Sequence, residues 1–171
     1  GDDRPGMTIH RTPRLPWYNK LSAGPSWHKF YVDALLLVKA WSVARKFRPD
    51  VIHGHLHEGA AIGWVVGKLF SIPVVGDFQG SLSGEMKAHR FGGQHAWFYR
   101  FVAHNERWID HLPQVAIASC SDVANELTER FGVRDVIVAL DGVDTQDFHP
   151  DVDTTELKTL VPPGRRAVVY L

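Results

Sequence analysis

Residues Asp50–Gly80, DVIHGHLHEGAAIGWVVGKLFSIPVVGDFQG, decide the fold. Val51 to His55 is a short β-prone run that ends in polar residues. From His57 to Ser71, apolar residues recur at helical spacing: Ala60, Ile62, Trp64, Val65, Val66, Leu69 and Phe70. Pro73 lacks an N–H and cannot extend that helix, and Ile72 to Val75 reads as a second β-prone run. Two strands joined by a helix of this length fit a parallel unit with a right-handed crossover, because parallel strands need a long connection. Ligands of such sheets gather outside the carboxyl ends of the strands. Those ends are His53-Gly54-His55-Leu56-His57-Glu58 and Gly76-Asp77-Phe78-Gln79-Gly80.

Working outward, Met7 to Arg11 reads as a strand, followed by a Pro-rich loop. Ser26 can cap a helix from Trp27 to Phe47. Its positions Phe30, Ala34, Leu37, Val38, Trp41 and Ala44 make an apolar face expected to pack on the sheet. Downstream, Ser81 to Gln94 reads as a mobile, polar active-site loop, and His95 to Leu112 as a helix ended by Pro113. Val115 to Ala118 is a strand, Ser119-Cys120-Ser121-Asp122 caps a helix reaching Phe131, and Gly132 suits its carboxyl end. Asp135 to Leu140 is a strand. Residues 145–165 read as a linker with one helical turn around Glu156 to Leu160, before a last strand at Arg166 to Leu171. Strands alternating with helices predict an α/β fold, a parallel Rossmann-like sheet with helices on both faces. The domain boundary falls near His149-Pro150, giving units 1–149 and 150–171.

The composition narrows the partners. The 171 residues suffice for one domain with a core, and an apolar content of 44% excludes a disordered chain. Nineteen basic and nineteen acidic residues cancel, and no polybasic run points to nucleic acid. The single cysteine, Cys120, excludes an internal disulfide framework and fits a reducing, cytoplasmic compartment. No apolar run approaches the roughly 20 residues needed to span a bilayer, which leaves association with a membrane surface open. Both ends look cut, so a fragment of a larger protein is expected.

Three motifs, in order and correctly spaced, resemble one family. They are Arg48-Pro49-Asp50-Val51-Ile52-His53-Gly54-His55; Ile72-Pro73-Val74-Val75 with a polar strand end; and Ala118-Ser119-Cys120-Ser121 running on to Asp141-Gly142-Val143-Asp144-Thr145-Gln146-Asp147-Phe148-His149-Pro150. The sequence is similar to the amino-terminal domain of GT-B glycosyltransferases of the family 4 type. The resemblance implies a two-domain, retaining enzyme that needs no metal and no cofactor beyond a nucleotide-sugar co-substrate. It implies that residues 1–149 form the acceptor-side domain, lacking its first strand and Gly-rich loop. Residues 150–171 would be the linker and first strand of the donor-side domain, whose remainder is missing. Such a fragment is expected to be inactive alone, and the sheet edge left open invites self-association. One departure matters. The family often has a histidine after the strand of the second motif, and this chain has Asp77-Phe78-Gln79-Gly80. Gln79 can bond sugar hydroxyls but cannot act as acid or base near neutral pH.

The candidate site follows from the sheet rule and the resemblance together. Substrate-binding candidates are His55, His57, Glu58, Asp77, Gln79, Gly80, Ser81 and Glu85, facing an acceptor that is a glycan, lipid or small molecule. Donor-side candidates are Ser119, Ser121, Asp141 and Gly142. Helix capping explains the serines better than ligand contact does, and a turn explains Asp141 and Gly142 as well as ligand contact does. No residue is singled out as catalytic. His53 sits deeper in its strand and reads as structural. His53 and His55 alternate onto one face, which keeps a metal-dependent hydrolase as an alternative, although that chemistry needs further ligands. A non-catalytic sugar- or nucleotide-binding module is the other alternative. Cys120 reads as buried and inert, and Trp97, Phe98, Phe101 and Trp108 as packing residues, with a lipid-facing surface the lesser reading.

Overall fold

The computed structural model describes residues 6–13, 29–88 and 95–146, with positions 149, 151 and 165, though not the side chains at 29, 85, 87 and 88. Two compact units divide at Leu140/Asp141. The first holds a four-stranded parallel sheet in the order β1-β2-β3-β4. Its elements are α1 (Lys29–Phe47), β1 (Ile52–His55), α2 (Leu56–Phe70), β2 (Val74–Phe78), α3 (Leu82–Ala88), α4 (Ala96–Asp110), β3 (Val115–Ala118), α5 (Ser121–Asn125) and β4 (Val136–Val138). A π-helical stretch, Glu126–Phe131, continues α5. Gly132 closes it at φ 79°, a left-handed conformation that costs glycine no Cβ clash.

Each strand is added beside the one before it, so consecutive right-handed crossovers place their helices on one face. That face is the core. Phe78, Ala116 and Ala118 project from β2 and β3 onto Ala60 of α2 and onto Ala124, Leu127 and Phe131 of the last helix. Small side chains make the approach close. A Cβ on Gly54 would lie 2.6 Å from the Gly59 carbonyl oxygen, and one on Gly67 would lie 2.6 Å from Val74 Cγ2. The opposite sheet face follows from the register: His53 lies beside Val75, and His55 beside Asp77, Ile117 and Ile137 in turn.

The expected α/β parallel sheet is therefore present, with several local differences. Met7 to Arg11 forms no strand; Met7 and Ile9 are exposed, and a strand is held only by a neighbouring ladder. The face assigned to α1 does not pack on the sheet. That helix lies against α2, only Ala44 of the face is buried, and Phe30, Val38 and Trp41 are exposed. β2 begins two residues later than the β-prone run and extends through Phe78, because pairing with β1 and β3 continues through Asp77 and Phe78. Part of the stretch read as a loop is α3. Ser26, the turn around Glu156 to Leu160 and the strand Arg166 to Leu171 lie outside the described residues.

Candidate functional site

All four strands point the same way, so their carboxyl ends form one edge. β1 enters α2 without a loop. Leu56 absorbs the turn at φ 59°, a left-handed conformation that costs a residue with a Cβ roughly 1–2 kcal/mol. The sharp turn puts His57 in the first turn of α2 with its side chain inward. His57 is buried, and its ring lies 5.1 Å from the ring of fully buried Phe78 at an angle of 49°.

Two carboxylates from α4 meet this histidine. Val102, Glu106 and Asp110 recur every four residues, and all three are buried. His57 Nε2 lies 3.3 Å from Asp110 Oδ1 and 3.8 Å from Glu106 Oε1. Glu106 is satisfied by the turn after β2. Its Oε1 accepts the Ser81 hydroxyl at 2.8 Å, and its Oε2 accepts the Ser83 backbone N–H at 3.1 Å. Ser81 Oγ in turn accepts the Gly84 N–H at 3.1 Å, capping α3. A buried carboxylate thus clamps the segment from Ser81 to Gly84 onto α4.

Asp110 is treated differently. The approach of His57 is an ion-pair distance without hydrogen-bond alignment, and neither Asp110 oxygen has a hydrogen-bond partner. Burial pushes the Asp110 carboxyl above its ordinary value, and the charge of Glu106 adds to the rise; His57 and His111 oppose it without cancelling it. Between these groups and Gly80, Ser81, Leu127 and Phe131 is a cavity of about 10 Å³, the lower limit for one water.

A second cluster sits on the opposite face. Asp77 Oδ2 accepts a hydrogen bond from His55 Nδ1 at 2.9 Å and from His53 Nε2 at 3.2 Å. Burial raises the Asp77 carboxyl, but the two imidazole hydrogen bonds, His55 first, outweigh it and leave the group below its ordinary value. His53 therefore belongs to the polar cluster. Among the described residues, no group of three or more His, Cys, Asp or Glu side chains is arranged to hold a metal ion.

The other candidates fall as follows. Gln79 and Gly80 are exposed at the end of β2, and the side of Gly80 where a Cβ would project is open space. Glu58 is half-buried in the first turn of α2. Glu85 lies on α3, with its side chain outside the description. Ser119 is half-buried, its N–H donating to the Phe78 carbonyl at 3.3 Å, and Ser121 is exposed at the start of α5. The expected capping by these serines does not occur: Cys120 holds the cap position and makes no side-chain cap bond. Cys120 is half-buried rather than buried. Asp141 and Gly142 are exposed in the second unit, where Asp144 Oδ1 accepts the Gln146 N–H at 2.8 Å in a turn. The expected packing of the aromatic residues of α4 holds only in part: Phe98 is half-buried and Trp108 meets Trp64 of α2 edge-on, but Trp97, Phe101 and Trp108 are mostly exposed rather than in the core.

An open hollow of about 420 Å³ adjoins the clamp, lined by Ser81, Ser83, Gly84, Tyr99, Arg100 and Arg130 among others. A larger one, about 650 Å³, lies at the opposite edge between Arg48, Asp50, Ile72 and Pro73. It contains none of the paired groups and sits at the amino ends of the strands, where sheets of this kind do not gather ligands. Glu106 and Asp110 are the residues that reading the sequence missed. Only their spacing was visible in the sequence: both fall at four-residue steps from Val102, and that this stripe faces the core shows only in the fold.

The model of Glycosyltransferase Family 4 matches residues 4–147. The chain belongs to glycosyltransferase family 4. Among solved structures, it is similar to sucrose-phosphate synthase (tll1590) from Thermosynechococcus elongatus, with a TM-score of 0.63 and 15% identity. That match covers 92% of this chain and 40% of the synthase chain, so the family 4 chain spans well under half of that enzyme's length. At this identity the likeness speaks for the GT-B fold of the lobe. No curated protein sequence matches the chain.

Proposed function

We propose that this family 4 chain is the acceptor-side lobe of an enzyme that transfers a sugar from a nucleotide-sugar donor to a glycan, lipid or small-molecule acceptor. Transfer proceeds with retention and without a metal. One observation carries this reading: the turn after β2 is clamped by Glu106 at the carboxyl edge of the sheet, next to the exposed Gln79 amide and Gly80. A fixed edge with amide, hydroxyl and backbone groups suits an acceptor rich in hydroxyls. His57 and Asp110 support this edge from beneath. Ser119 and Ser121 are its donor-side candidates, and Asp141 and Gly142 are donor-side candidates within the second unit. The donor diphosphate is held chiefly by a second lobe, and rate comes from positioning and from stabilising the leaving group's charge.

The test is a chain extended to carry a donor-side lobe, incubated with a panel of UDP-, GDP- and ADP-sugars in the presence of EDTA. Transfer is expected from the extended chain and not from these 171 residues alone, with the product's anomeric proton showing the donor's configuration. Inverted product, or turnover that requires a divalent metal, contradicts the reading.

A further inference from the structure

We propose that the outward face of α4 is a docking surface for an anionic lipid membrane, on which the protein lies without crossing it. Trp97, Phe101 and Trp108 are 68%, 60% and 55% exposed. Spacings of four and seven residues put all three on one stripe, which runs about 16 Å along the helix. Beside it, at helical spacing, are Arg100, His104 and Arg107, all exposed. The helix carries two acids, Glu106 and Asp110, and both are buried on its other side. The exposed face of α4 therefore presents large aromatic rings and cations and no carboxylate. α2 extends the patch. Its Trp64 meets Trp108 edge-on at 6.0 Å, and the Lys68 ammonium lies 5.9 Å from the Trp64 ring.

Charge complementarity selects the occupant. Tryptophan rings, with an apolar body and one N–H, settle at the level of lipid headgroups, and flanking Arg and Lys meet the phosphates. A second copy laid antiparallel on this face would bring the Arg100–Arg107 flank against its own image, with no exposed carboxylate on α4 to neutralise it. Spanning is not the mode: no described helix is long and apolar enough to cross a membrane. This surface is independent of the reaction proposed above.

The test uses the full chain, floated with vesicles of phosphatidylcholine alone or of equal parts phosphatidylcholine and phosphatidylglycerol. Binding is expected to the anionic vesicles only, and to weaken with salt. The double substitution Trp97→Ser/Phe101→Ser is expected to abolish it. Replacing Lys68→Gln and Arg107→Gln is expected to lower partitioning about fivefold per charge removed. Brominated lipid in the anionic vesicles is expected to quench the tryptophan fluorescence of the unaltered protein, a readout that needs no variant. The proposal is overturned by absence of flotation and quenching, by equal binding to both vesicle types, or by unchanged binding of the folded Trp97/Phe101 variant. Self-association lost in that variant, with no vesicle binding, would assign the face to a second copy instead.

Discussion

Glu106 of α4 and Ser81 of the turn after β2 are joined across 25 positions of sequence by a 2.8 Å hydrogen bond within the core. The carboxylate has no solvent exposure, so these contacts replace its water. The bond ties the carboxyl edge of the sheet to the helix beneath it. Replacing Glu106→Ala is expected to cost about 2 kcal/mol, the scale for hydrogen bonds to a charged acceptor. Amide exchange at Ser83 and Gly84 should accelerate while exchange in β2 does not. Unchanged exchange at those two amides would contradict the clamp.

Asp110 is expected to make the protein more stable in mild acid. Its folded-state carboxyl titrates above the unfolded one, so the native state binds the extra proton. The contribution is fully present below the ordinary carboxylate range and is lost as pH rises through the raised folded value. His57, Glu106 and His111 act on the same group. Thermal midpoints of the protein and of Asp110→Asn, measured from pH 4 to pH 7, should show the decline flattened in the variant. An identical slope would contradict the orphaned carboxylate.

The Asp77 pair predicts tautomers. Both imidazoles donate to Asp77 Oδ2, so neutral His55 carries its proton on Nδ1 and neutral His53 on Nε2. Long-range ¹H–¹⁵N spectra above the histidine titration should show His55 in the Nδ1–H form and lose that preference in Asp77→Asn. Asp77 has the opposite linkage to Asp110. Its depressed carboxyl contributes stability above the ordinary carboxylate value, and the contribution is lost as pH falls through the lowered folded value.

Two glycines, Gly54 within β1 and Gly80 in the turn after β2, should respond differently to alanine. A Cβ on Gly54 would meet the Gly59 oxygen at 2.6 Å and the Ala60 Cα at 2.7 Å, both backbone atoms that cannot rotate away. Gly54→Ala is expected to cost about 3 kcal/mol, at the upper end for overpacking. Gly80→Ala meets nothing within 4 Å and should leave the denaturation midpoint near the original. Equal effects at the two sites would contradict the close approach of β1 and α2.

Much of the sheet was legible because it is built from local patterns. The run from Asp50 to Gly80 carries strand, helix and strand in one span, and Val115 to Ala118 is bounded by Pro113 and the Ser119–Asp122 cluster. Pairing then followed from crossover length. What escaped were long-range features. Met7 to Arg11 has strand composition, but a strand needs a neighbour that composition does not supply. The apolar face of α1 was visible, whereas its partner, α2, was not. Glu106 and Asp110 resemble ordinary charges on an exposed helix until the core is assembled around them. Their partners, Ser81 and His57, lie far away in sequence. Exposure of Trp97, Phe101 and Trp108 also reverses what their size suggests, because α4 turns Val102 inward and the larger rings out.

Acceptor kinetics of Gln79→Ala, in a chain extended with a donor-side lobe, test the central claim most directly. If the end of β2 meets the acceptor, losing one hydrogen bond should raise acceptor KM about tenfold and leave donor KM and kcat near their original values. A rise in donor KM with acceptor KM unchanged would contradict the acceptor-side assignment of this lobe.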